Sequence, residues 1–235
     1  MHELGAAFAE AFRLVATLDP DLREIVALSL EISLAAVGLA ALVGMPLGAA
    51  LAVLRFPGRG ALVITLNALM GLPPVVVGLL VYLLLSRAGP LGSMGLLYTP
   101  SAMVIAQAIL VTPIVAALTR QTVEDMKDEY LDQLRVFGIT PFKMIETLLW
   151  DARYSLLTAL LAGFGRAIAE VGAVIIVGGN INHVTRVMTT TIALETSKGN
   201  LALALGLGVV LVTIAIAANA AVMALRVSAR RLAYA

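Results

Sequence analysis

The sequence predicts an all-α integral membrane protein with five transmembrane helices, an N-terminal interfacial helix and a helical elbow between the third and fourth spans. Two observations carry the fold class. Of the 235 residues, 60% are hydrophobic and only 13% are charged, and several apolar runs reach the roughly 20 residues that a helix needs to cross a bilayer. A third observation places the elbow: a polar insert, Asp128 to Trp150, separates two of those runs.

Composition also excludes several function classes. A net charge of +1 provides no global field for nucleic acid. Without cysteine there are no disulfides or thiolate metal sites, and His2 and His183 are too far apart in sequence to suggest a ligand pair. No HExxH, GxSxG or GxxxxGK[ST] pattern occurs. The chain is therefore expected to bind no metal or cofactor of its own and not to be an enzyme; the lipid bilayer is its first partner.

Met1 to Leu18 carries Glu3, Glu10 and Arg13 among Leu4, Phe8, Phe12 and Val15. That pattern lacks the basic start and apolar core of a signal peptide and reads as an interfacial amphipathic helix. Five spans follow at about 27 to 54, 61 to 85, 99 to 119, 156 to 177 and 201 to 225. The first is long for a rise of about 1.5 Å per residue, so it must tilt, protrude or bend, with Pro46 between Gly44 and Gly48 as the place for a bend.

Basic residues orient the spans. Arg55, Arg59, Arg120, Lys127, Arg135, Lys143, Arg153, Arg226, Arg230 and Arg231 fall on one side, against Arg13, Arg23, Arg87, Arg186 and Lys198 on the other. By the positive-inside rule the elbow and the C-terminus are cytoplasmic and the N-terminus is outside. A sixth span through residues 2 to 18 is disfavoured by its length and by three charges, each costing about 2.5 to 3.5 kcal/mol at a helix centre.

Within the elbow, Leu131, Leu134 and Phe137 recur at helical spacing. Gly138 sits where a helix C-terminus takes a left-handed residue, and Thr140 and Pro141 supply an N-cap and a first-turn proline for a second helix. The apolar face has no soluble domain of its own to cover it, so a partner is expected there.

Several polar features lie at membrane depth. Pro73 and Pro74 interrupt span two, removing two backbone donors, and are read either as a static kink or as part of a translocation pathway. Pro113 poses the same choice, while Asn67, Gln107 and Asn219 are read as interhelical hydrogen-bonding groups. Arg166 and Glu170, at i and i+4 in span four, share a helix face. They are either a structural ion pair or elements of the translocation path or its gate. Beyond span four, Gly178 to Asn200 reads as an external segment with a partly buried face formed by Val187, Met188, Ile192 and Leu194. His183 and Arg186 are candidate contacts for an external protein, and Glu195 and Lys198 read as a solvated pair.

The elbow resembles the cytoplasmic EAA loop of ABC importer permeases, E-A-A, three residues, G, nine residues, I-x-L-P. In register with Gly138, the first three positions are Asp132, Gln133 and Leu134, and the last four are Leu148, Leu149, Trp150 and Asp151. Asp132 keeps the acid, Leu148 keeps apolar character, and Asp151 stands where the family has proline. LPPVVVGLL, GRAIAEVGAVIIVGGN and TRVMTTTIALETSKG occur in the order seen in molybdate, tungstate and sulfate permeases, with the last two most similar to the tungstate branch. The resemblance covers about Leu28 to Leu225. It implies a single permease domain over 1-235 and a homodimer in the cytoplasmic membrane. It also implies two ATP-binding subunits, carrying ATP and magnesium, docked on Leu131, Asp132, Gln133, Leu134, Phe137, Gly138 and Phe142, and an external oxyanion-binding protein. Molybdate, sulfate, phosphate or amino-acid import and an ion-coupled secondary transporter are the competing readings, and a membrane enzyme or scaffold stands as a competitor of another class.

Overall fold

The computed structural model describes residues 8, 9, 12, 13, 16, 17, 19–136 and 138–233, with the side chains of 131–135, 226, 227 and 229–233 outside the description. Most of the expected N-terminal helix lies outside these residues; Phe8 and Phe12, within them, are exposed. Among the described residues the secondary structure is helical throughout. In order these helices are α1 (Pro20–Val53), α2 (Arg59–Leu69), α3 (Pro74–Leu85), a 3-10 turn (Gly92–Met94), α4 (Pro100–Val136), α5 (Pro141–Asp151), α6 (Arg153–Ile168), α7 (Gly172–Gly178), α8 (Met188–Lys198) and α9 (Leu201–Ala233).

Three stretches are single helices long and apolar enough to cross a membrane: Pro20–Val53, Pro100–Tyr130 and Leu201–Leu225. The pairs α2 with α3 and α6 with α7 meet the same test together, each interrupted by a short break, which gives three to five candidate spans. α1 runs through Pro46 without ending, although that proline cannot donate to the preceding turn. Pro113 is likewise inside α4. At Pro73 and Pro74 the outcome is different, because the prolines begin a new helix instead of kinking an old one. Pro73 is the N-cap of α3, with φ −64° and ψ 123°, and Pro74 occupies the first turn, where a missing N–H leaves no bond unmade.

The chain forms two compact units. The first comprises Met1–Ala35, Pro73–Gln107 and Ala167–Ala218. Here α7 packs on α3 at close range, with Gly78 so near Ala173 that a β-carbon would stand 2.8 Å from its Cα. Ile32, Met103, Val174, Val177, Met188 and Leu207 are fully buried in it. The second unit comprises Ala36–Leu72, Ala108–Arg166 and Asn219–Ala235. Its apolar interior includes two clusters, one of Ala49, Ala52, Val123 and Leu148, the other of Leu51, Leu66, Ala116 and Ala117.

The expected continuous span at 156 to 177 is corrected by the break at Ala169, Glu170 and Val171 between α6 and α7. Arg166 and Glu170 therefore do not share one helix face at i and i+4. The Glu170 side chain, together with Thr189 and Gln107 from distant sequence, takes backbone groups that a continuous helix would use.

Candidate coupling surface and translocation elements

In the second unit, α4 continues past the membrane-length stretch to Val136, then turns at Gly138, whose φ of +63° is the left-handed conformation that glycine adopts without steric penalty. Thr140 takes the N-cap position in an extended conformation, and its carbonyl accepts the Met144 N–H at 2.9 Å. Its hydroxyl makes no capping bond. α5 then starts at Pro141 as the sequence predicts.

α5 is amphipathic, and its buried side has a partner within the chain. Leu148 joins Ala49, Ala52 and Val123, with Ile139, Met144, Ile145 and Leu149 packed around them. The expectation that the elbow's apolar face needs a foreign cover is thus corrected for that side of α5. Elsewhere on α5 Phe142 is 79% exposed and Lys143 and Glu146 form a solvent-exposed ion pair at 2.8 Å, and Val136, at the end of α4, is 84% exposed. The side chains of Leu131, Asp132, Gln133 and Leu134, and residue Phe137, lie outside the described residues. Of the seven coupling positions, Gly138 and Phe142 are placed, and both are exposed.

In the first unit, the break after α6 gathers polar groups. Glu170 is buried, and its Oε1 accepts the Ala173 N–H at 3.2 Å, near the start of α7. Its carbonyl accepts the Thr189 hydroxyl at 2.7 Å, and its N–H donates to the Ala167 carbonyl at 3.1 Å. That same Ala167 carbonyl accepts from Gln107 Nε2 at 3.1 Å, so Gln107 makes the kind of interhelical bond expected of it. Arg166 belongs to the second unit and is half-buried in the last turn of α6, where the helix dipole favours a cation. Pro73 is exposed and Pro74 half-buried at the start of α3.

The segment between α7 and α8 is held by hydroxyls. Thr185 donates to the Gly178 carbonyl at 2.6 Å and accepts the Ile181 N–H at 2.9 Å. Thr190 donates to Asn180 Oδ1 at 2.9 Å, and Ser29 of α1 accepts the Met188 N–H at 2.8 Å. Glu195 is corrected from solvated to buried: it keeps Lys198 at 3.0 Å and also accepts from Asn200. Lys198 beside it holds the Glu195 carboxyl below the ordinary carboxylate range, against the opposing effect of burial.

His183 is exposed, in a left-handed conformation at φ +57°, with Nδ1 2.8 Å from Glu24 Oε2. Hydrogen bonding and charge attraction from Glu24 raise its pKa. Asp21, Glu24 and His183 could offer ligand atoms within 4.8 Å of one another. Arg186 lines the same depression, and its charge opposes a bound cation, so the trio carries no metal assignment.

Sequence reasoning missed Thr189, which reads as one of three consecutive threonines, and the carboxylates that meet His183. It also counted Arg59 as a loop charge only. The structure joins Arg59 Nη2 to Glu124 Oε1 at 2.7 Å. None of these pairings has a local signal, because the partners lie far apart along the chain.

Long apolar helices, two further candidate spans broken by short non-helical stretches, and an elbow at the end of a long helix are the features of a helical membrane protein. The chain belongs to the family of binding-protein-dependent transport system inner membrane components, whose model matches residues 44–231. It is 42% identical over 182 residues to a probable anion ABC transporter permease protein of Haloferax volcanii, covering 75% of this chain and 78% of that one. It is 40% identical over 200 residues to a tungstate uptake system permease protein of Peptoclostridium acidaminophilum, covering 85% and 88%. A protein of the same description from Campylobacter jejuni is 42% identical over 133 residues, covering 57% of this chain and 56% of the relative.

Proposed function

We propose that this chain is the membrane permease subunit of an ATP-binding-cassette importer for tungstate, with ATP hydrolysed on separate ATP-binding subunits and substrate delivered by an external oxyanion-binding protein. The observation that carries the reading is 40% identity over 85% of the chain to a permease named for tungstate uptake.

In this reading the chain is one permease domain over 1-235 that binds no cofactor. It crosses the membrane five times, by α1, α2 with α3, α4, α6 with α7, and α9, and it works as a homodimer. The N-terminus is outside and the elbow and C-terminus are cytoplasmic, in keeping with the distribution of basic residues. The elbow from Leu131 through Phe142 docks the ATPase. Pro73, Pro74, Arg166 and Glu170 lie along the translocation path or its gate, while His183 and Arg186 meet the binding protein. ATPase closure then shifts the population between inward-open and outward-open states.

The test is reconstitution of the chain with its ATP-binding subunits in proteoliposomes and measurement of tungstate uptake with loaded binding protein, against molybdate and sulfate as competitors. ATP-dependent tungstate uptake supports the reading. Uptake driven by an ion gradient without ATPase overturns it, and stronger uptake of molybdate or sulfate reassigns the substrate.

A further inference from the structure

The C-terminal end of α1 is held by cations that α1 does not supply. A helix leaves its last four carbonyls without intrahelical partners and carries partial negative charge at that end, yet α1 has no basic residue in its last turn. The Ala50 carbonyl accepts from Leu54 N–H at 2.8 Å. The next two carbonyls are taken from other helices: Arg59 Nε, at the start of α2, donates to Leu51 at 2.6 Å, and Lys127 Nζ, from α4, donates to Ala52 at 2.8 Å. Arg59 also reaches Glu124 of α4, whose second oxygen accepts from Arg120. Lys127 is buried, and the side chains of Arg59 and Glu124 are 29% and 31% exposed.

This polar knot adjoins the seat of α5. Ala52 contributes its carbonyl to Lys127 and its side chain to the cluster that receives Leu148. The chain between α1 and α2, 54–58, has no helix and ends on Gly58 at φ +89°. By itself such a loop would absorb a displacement rather than pass it on.

We propose that Arg59, Glu124 and Lys127 are positioning residues of the transport cycle. They lock the adjoining ends of α1, α2 and α4 into one body, so that movement of α5 by the ATPase reaches α1 and α2 as well as α4. Partly buried ion pairs contribute little net stability because desolvation offsets their attraction, and their better-attested use is to fix register. The proposal rests on the permease reading, since it requires an ATPase acting on the elbow.

The experiment measures ATP hydrolysis and tungstate uptake in the same proteoliposomes, with loaded binding protein, for the unaltered complex, Glu124→Gln, Lys127→Met and Lys127→Arg. Glu124→Gln and Lys127→Met are expected to keep subunit capture and ATP hydrolysis, with melting lowered only by the group each leaves unmatched, while uptake per ATP falls about tenfold. Lys127→Arg, which keeps the cation, should restore the ratio. An unchanged ratio in both Glu124→Gln and Lys127→Met overturns the clamp and leaves the permease reading standing. Loss of capture and melting together with transport in those two variants also overturns it, assigning the residues to folding alone. Absence of ATP-driven uptake by the unaltered complex removes the permease reading and the clamp with it.

Discussion

A β-carbon on Gly48 of α1 would stand 2.3 Å from the carbonyl oxygen of Ala116 in α4. One turn earlier, Gly44 faces the Thr112 carbonyl at 3.0 Å, so the two glycines let the backbones of α1 and α4 approach closely. Gly48→Ala must separate them and is expected to destabilise by about 1 to 3 kcal/mol, as overpacking does. Gly38, in the same helix, has nothing within 4 Å. Gly38→Ala should be neutral or stabilising by up to about 1 kcal/mol from helix propensity. Thermal unfolding in detergent checks both, and equal shifts would contradict the close-approach account.

At Gly138 the constraint is of another kind, because a β-carbon there meets nothing within 4 Å and only the φ of +63° is at issue. Strain of about 1 to 2 kcal/mol is expected for a residue that resists the left-handed region. Uptake should fall in the order Gly, Asn, Ala, Val at this position, with Asn best tolerated, while insertion and the melting of the transmembrane helices stay unchanged. Uptake and surface-labelling assays on the series read the two effects apart. Full uptake by Gly138→Val would remove the turn from the coupling path.

The elbow was legible because its signals are local: Gly138, Thr140 and Pro141 each specify a backbone conformation by themselves. The length of the apolar runs sufficed for α1, α4 and α9. The break at Glu170 was illegible because nothing within GRAIAEVGAV forbids a helix there. Instead, the Glu170 side chain takes the Ala173 N–H, Thr189 takes the Glu170 carbonyl and Gln107 takes that of Ala167, two of these contacts coming from distant sequence. Pro46 and Pro113 both lie inside helices that continue past them, so neither proline ends its helix. The contact of His183 with Glu24 spans 159 positions and has no sequence signature at all.

That contact has a definite pH sense. Glu24 raises the His183 pKa above the ordinary histidine value of about 6.5. A raised folded-state value means that the tie between His183 and α1 is fully present below the unfolded-state pKa and is lost as pH rises through the folded one. Asp21 adds to the rise and Arg186 opposes it. In Glu24→Gln the imidazole should titrate lower, and, on the proposal that His183 meets the binding protein, stimulated ATPase should lose part of its pH dependence. Histidine NMR titration in detergent measures the first directly, and an unmoved His183 resonance midpoint would contradict it.

The broken helix separates two roles for Glu170. Its Oε1 accepts a backbone N–H and its carbonyl accepts from Thr189, so removing either partner leaves a buried polar group unmatched at about 1 to 3 kcal/mol. Thr189→Val and Glu170→Ala are therefore expected to lower melting in detergent. Glu170→Gln keeps an oxygen acceptor of the same reach and should preserve melting, while removing the charge that the gate reading assigns to transport. Reduced uptake in Glu170→Gln with unchanged melting would place the charge in the cycle. If Glu170→Gln transports as the unaltered protein does and Glu170→Ala fails only by unfolding, the residue serves to hold α7 in place and the gate must be built elsewhere.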